Sequence, residues 1–294
     1  MMFEMAIEGP RAAFPRLTDR LPLGASGPPV SPFALGMVGD PGVVEAAFAA
    51  GINLFFISVD LHWPLYEATR QGVARVLASN PGARDTIVIA AVSYVAQPEF
   101  LWSPFEELLA AVPELAHLDV TVAGGCYGAD VGARARVYRE HRETRWRGTR
   151  AIGASFHDRP AALRALQDEA FDLVFVRYNP VHPGAREEIF DVIGPRSRGR
   201  RALLFNFNST RGWLSDPEYA KHKLGPDYWR PRITDYYRFA LSQPALDGIL
   251  CSLPSIEAVA ELERALENGP LDDQDCRYML QLGKLARGAA RVIE

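Results

Sequence analysis

Three histidines in this chain of 294 residues stand just beyond short apolar runs: His62 after INLFFI (52–57), His157 after 150–154 and His182 after DLVFV (172–176). An imidazole titrates close to neutral pH, so each is a candidate general acid or base, and Asp60, two positions before His62, is a candidate catalytic carboxylate beside it. Together with Asp60 they also contain the donor types of a metal site, but no spacing among them matches a metal motif, and none is assigned. Tyr94, beyond TIVIAAV (86–92), is a candidate proton or hydrogen-bond donor; without a neighbouring lysine its phenol stays near about 10. Arg177 carries a planar fork suited to a carboxylate or phosphate, and equally to a salt bridge at a rim. Trp63, Tyr127, Tyr178, Asn179, Asn206, Arg211 and Trp213 complete the expected substrate-binding set, with core packing as the alternative for the aromatic members. Cys126 follows two glycines with no evident activating base, which suits a small core residue better than a nucleophile.

The elements that must position these groups alternate in a regular way. Strand-like runs occupy 52–57, 86–92, 118–122, 172–176, 201–205 and 247–251, with weaker ones at 33–36 and 150–154. Helical patterns lie between them, at 41–50, 66–78, 103–112, 131–146, 159–170, 185–193, 232–242 and 255–268. About eight strand–helix units imply a parallel sheet with right-handed crossovers, and the length favours an α/β fold of the closed (β/α)8 TIM-barrel type over an open sheet. The expected arrangement is one domain over 1–294. It comprises an N-terminal β-hairpin at about 14–32, the barrel at about 33–268 and an extra C-terminal helix at about 272–287. In such a barrel the carboxyl ends of the strands face one cavity, so residues distant in sequence converge there. The long stretch 209–231 follows the seventh strand on that same face and is a candidate lid.

Composition narrows the partners. The net charge of −4 offers no electrostatic case for nucleic acid or membrane surfaces. The arginines from 134 to 150 share their helix with Glu140 and Glu143, the pattern of a solvated face. Three cysteines far apart indicate no disulfide framework. The first residues lack the charge pattern of a signal peptide, and no apolar run reaches bilayer-spanning length, so the cytoplasm is the expected location and a small molecule the expected partner.

An ordered set of motifs resembles the aldo-keto reductases. LPLGASGPPVSPFALG (21–36), GIN (51–53), RDTIVIA (84–90), AIGAS (151–155), RYNP (177–180) and the turn before SIEAVAELERAL (255–266) follow that family's order from about Leu21 to Asp275. RYNPVHPGAREEIF (177–190) is similar to a variant in some divergent bacterial members. The resemblance implies a (β/α)8 barrel and hydride transfer from NADPH to a carbonyl by an Asp, Tyr, Lys and His tetrad. Those positions fall here on Phe56, on Leu61 or His62, on Val92 and on Gly124, and no lysine precedes Lys221. The tetrad is absent. Of the partners implied for the nicotinamide amide, Ser155 remains, but its companions are Phe156 and Phe175. Ser252 and Ser255, at a helix amino-terminus, are the candidate phosphate ligands.

Three readings stay open. The first is a small-molecule enzyme running acid–base chemistry (dehydration, cyclisation or isomerisation) with His62, His157 or His182 as proton carrier. The second is an NADPH-dependent carbonyl or imine reductase with a substitute proton donor. The third is a catalytically silent binding or regulatory barrel.

Overall fold

The computed structural model describes residues 13–24, 27–144, 149–195 and 202–288. All eight apolar runs become strands: β1 (Phe33–Leu35), β2 (Leu54–Ser58), β3 (Val88–Ser93), β4 (Val120–Cys126), β5 (Ala151–Phe156), β6 (Leu173–Arg177), β7 (Leu203–Phe207) and β8 (Gly248–Cys251). Each pairs in parallel with the next, and β8 returns to β1 to close the barrel. The helices are α1 (Pro41–Ala49), α2 (Glu67–Ser79), α3 (Ala83–Thr86), α4 (Ser103–Ala111), α5 (Val131–Thr144) and α6 (Arg159–Gln167) in the first part of the chain. A π turn at Arg186–Phe190 then runs into α7 (Asp191–Ile193), followed by α8 (Asp216–Lys221), α9 (Ile233–Leu241), α10 (Ile256–Glu267) and α11 (Asp273–Ala286). Their starts are written in the sequence. Asp40, Asp158, Ser255 and Asp272 each accept a backbone N–H of the first turn, and prolines sit just inside α1 and α6.

Strand alternation sorts the apolar side chains into two layers. Leu54, Phe56, Val88, Val92, Val122, Leu173, Phe175 and Phe205 fill the barrel. Phe55, Ile57, Ile89, Ile152, Phe156, Val174 and Leu204 point outward and pack beneath the helices.

The amino end of the barrel is held by buried polar side chains. The Asp119, Asp172 and Asp247 carboxylates accept the backbone N–H of Ile89 (2.9 Å), Ile152 (2.9 Å) and Leu204 (2.7 Å) on the neighbouring strands. The Asn53 amide accepts from Ser31 N–H and donates to the carbonyls of Pro29 and Thr86. Asp119 also pairs with Arg84 at 3.0 Å.

Two further segments join this frame. The N-terminal hairpin is reduced to one antiparallel bridge, Leu21 with Val30, and residues 25–26 lie outside the described residues. Prolines at 22, 28, 29 and 32 cannot donate to a ladder, so among the described residues the pairing stops at that bridge. Leu23 and Val30 instead join the cluster inside the barrel. The segment 209–231, the candidate lid, is anchored on α11. Its Leu214, Tyr219 and Leu224 form a small core with Leu282 and Leu285 of α11, and the Tyr219 and Tyr278 hydroxyls donate to the Trp229 carbonyl. Among the described residues no helix is long and apolar enough to cross a membrane.

Candidate active site

A cavity of about 250 Å³ lies at the carboxyl ends of the strands. Phe56 and Phe175 form its base, ring centroids 5.2 Å apart and edge to face. Tyr66, Tyr94, Phe207 and Tyr237 make its aromatic walls; Ser155, His157, Asn208, Ser209, Thr210 and Ser252 supply the polar lining. The volume lies below the roughly 300–1,000 Å³ of drug-sized pockets, so a compact ligand fits best.

Tyr66 arrives through the 3-10 turn Trp63–Tyr66. The Arg70 guanidinium lies 3.5 Å over the Trp63 ring, donates to the Trp63 carbonyl and pairs with Glu67, which fixes that turn. Burial pushes the Tyr66 phenol above its ordinary value, and the proximity of Tyr94 adds to the effect. Tyr94 is raised mainly by burial and then by Asp60, with Arg134 opposing. Both phenols therefore stay protonated at neutral pH and act as donors.

Tyr94 is positioned from three sides. Asp60 Oδ2 accepts the Ser93 hydroxyl (2.6 Å) and the Tyr94 N–H (2.8 Å), and Asp60 also accepts the Leu61 N–H, so these bonds occupy its carboxylate. Arg134 of α5, only 1% exposed, donates to the Ser93 carbonyl (2.7 Å) and the Gly124 carbonyl (2.9 Å) and holds the ends of β3 and β4 together. At Gly124 a Cβ would come within 2.9 Å of the Tyr94 ring, so only glycine leaves that ring its place. Gly125, at φ +58°, turns the chain so that its N–H donates to the Ser155 hydroxyl at 3.0 Å.

His157 stands at the exposed edge of the cavity, its ring edge-on to Phe207 at 5.3 Å. Partial burial, then Arg177, lower its pKa, so the ring is neutral at pH 7 and one nitrogen accepts. Cys126 is fully buried with its thiol pushed up to about 12 by desolvation, an inert core residue.

Several expected site residues lie elsewhere. His62 is exposed and does not line the cavity, though its ring meets Tyr94 at 5.4 Å. His182 sits in the turn after β6, where its N–H bonds the Asn179 carbonyl and side-chain oxygen. Tyr178, expected against substrate, is packed outside the barrel, stacked on Phe239 at 5.3 Å. Asn206 and Asn179 are fully buried: Asn206 accepts the Tyr178 N–H and donates to Ser209, and Asn179 donates to the Asn208 carbonyl. The Ser255 hydroxyl caps α10. Tyr127 (60%) and Trp213 (54%) are exposed, and neither lines the cavity, nor do Trp63, Arg177 and Arg211. Among the described residues no three His, Cys, Asp or Glu side chains converge as a metal site would require.

No family model and no curated protein matches this sequence. Solved structures do. The holo form of an aldo-keto reductase from Bacillus halodurans is 18% identical over 93% of this chain and 98% of its own, at a TM-score of 0.66. A Bombyx mori aldo-keto reductase in complex with NADP is 13% identical over 90% of this chain and 92% of its own, at 0.65. The chain has the aldo-keto reductase fold.

Within that fold the interior position expected to carry the tetrad's acid holds Phe56, and Val92 fills the barrel where the lysine is expected. Two of the positions that the resemblance implies for a nicotinamide amide carry no hydrogen-bonding side chain. Phe156 is buried in the outer layer and Phe175 offers only a ring, while Ser155 of the expected set keeps its hydroxyl at the cavity. The sequence alone does not assign Tyr66, Phe207 or Tyr237 to the site, and its expectation of a solvated face is corrected at Arg134, which is buried because its guanidinium bonds the ends of β3 and β4. Phe207 had a usable signal, since in-and-out alternation from Phe205 sends Phe207, not Asn206, inward.

Proposed function

We propose that this barrel binds a compact carbonyl compound and moves protons on it, by enolisation, isomerisation or dehydration, without a nicotinamide cofactor. The observation that supports this reading most is the cavity's donor set: two protonated phenols and one neutral imidazole around an aromatic base. In the proposed step His157 takes a proton from the carbon next to the carbonyl, and the electron pair moves onto the carbonyl oxygen. Tyr66 and Tyr94 donate hydrogen bonds to that developing oxyanion. The imidazolium then returns its proton, either to a second carbon, giving an isomer, or to a leaving hydroxyl, giving water and an enone.

The reductase reading has its own observation: Ser155, Ser252 and Phe207 line the same cavity, and one fold relative is a complex with NADP. A titration followed by NADPH fluorescence separates the two. Absence of saturable binding at millimolar nucleotide agrees with the proton-transfer reading. Saturable binding that Phe207→Ala abolishes supports the reductase instead.

A further inference from the structure

Beside the cavity three segments pack closely enough to bring cations together. Gly212, in the loop after β7, lies where a Cβ would be 2.5 Å from Val181 and 3.8 Å from the Cα of Gly283. Gly283 of α11 lies where a Cβ would be 2.2 Å from the Pro180 carbonyl oxygen. This glycine-to-backbone packing stacks the turn after β6, the β7 loop and the last turns of α11. Arg211 precedes Gly212, Arg287 caps α11 one turn beyond Gly283, and His182 belongs to the turn between them.

Arg177, the last residue of β6, is the inner member of the group. It pairs in register with Phe207, whose ring meets His157 at the cavity edge. Among the described residues Arg177 has no carboxylate within ion-pair distance. Arg159 stands close by, but Glu188 at 2.6 Å neutralises it. Desolvation and then Arg159, Arg211 and Arg287 weigh against the charge on Arg177, and desolvation, then Arg177 and those same arginines, weigh against protonation of His182. Like charges gathered with no ion pair to Arg177 among the described residues store repulsion that a bound anion relieves.

We infer that Arg177, Arg211 and Arg287 form an oxyanion-binding site at the cavity mouth, which holds the carboxylate or phosphate of a compact substrate whose carbonyl end reaches in past His157. Guanidinium forks suit either group. The inference rests on the proposed function only for what happens inside the cavity; the anion site itself is read without turnover.

Calorimetric titrations of the intact protein with inorganic phosphate, acetate and NADPH, each against sodium chloride of matched ionic strength, provide the test. Phosphate or acetate is expected to bind above the chloride control. Arg177→Gln should weaken it at least tenfold, Arg211→Gln and Arg287→Gln severalfold, and Arg264→Gln on the far helix α10 not at all. The two exposed arginines serve if Arg177→Gln fails to fold. No binding of phosphate or acetate, or an equal loss in Arg264→Gln, overturns the site. NADPH held more than tenfold tighter than phosphate, with that gain lost in Arg177→Gln, overturns the compact-substrate assignment and gives the site to a nucleotide phosphate. Exchange chemistry that fails while phosphate binds as described leaves the anion site standing and removes only the proposed reaction.

Discussion

The two ends of this barrel use polar residues in opposite ways. At the amino end each buried carboxylate has a fixed partner: Asp119, Asp172 and Asp247 all accept a neighbouring strand's N–H, and Arg84 neutralises Asp119. The carboxyl end has fixed pairs too, Asp60 with the start of the β3 loop and Arg134 with two carbonyls. But its cavity is lined by neutral phenols and an imidazole, and Arg177 beside it forms no ion pair among the described residues. A polar side chain that is fully satisfied holds structure, while one left with spare bonding capacity is available to a ligand. In this fold groups of the second kind line the cavity at the end where the strand-to-helix loops leave space.

The comparison breaks most easily at the amino end. Asp119→Ala should destabilise the protein by about 3 kcal/mol, because it strands the Ile89 N–H and leaves Arg84 without its carboxylate. Denaturant unfolding checks this, with cavity chemistry at low denaturant unchanged. A loss below about 1 kcal/mol would mean that the amino end is not the anchored one. Arg134→Met should cost about 2 kcal/mol through the two carbonyls it leaves unbonded. Because Arg134 opposes the rise in the Tyr94 pKa, the variant should also shift phenol ionisation upward in an ultraviolet pH titration.

Tyr94→Phe sharpens the contrast. It should leave the melting curve almost unmoved and slow proton exchange on a bound ketone about tenfold, with Tyr66 still donating. The smallest effect concerns pH. His157 and His182 have folded pKa values below 6.5, so the unfolded chain binds more protons just below that pH. Their contribution is complete above 6.5 and declines as pH falls toward the folded values. Stability followed from pH 7.5 down to about 5 should therefore drop, and the double variant His157→Gln, His182→Gln should flatten the slope.

The fold was legible because strands buried on both faces read as continuous apolar runs, and all eight appear within a few residues of where those runs stand. Candidate site residues were less legible, and the reason is register. Neighbours such as Asn206 and Phe207, or Arg177 and Tyr178, differ only in which side of the sheet they face. A shift of one residue exchanges a cavity wall for a core contact. His157, Tyr94, Ser155 and Ser252 do reach the cavity. Tyr66 reaches it through a 3-10 turn that no hydrophobic periodicity announces, and the role of Arg134 depends on carbonyls far away in sequence. Asp60 and His62 attract notice as an acid–base pair, yet the acid is bound up with the start of the β3 loop and the base is exposed.

The central claim is that the cavity moves protons without a nicotinamide. The most direct measurement follows deuterium entering the carbon next to the carbonyl of small keto acids in heavy water by proton NMR, with no nucleotide present. Exchange faster than the buffer rate, lost in His157→Ala, is the predicted result. Exchange at the buffer rate, together with NADPH-dependent reduction of the same carbonyl, would contradict it.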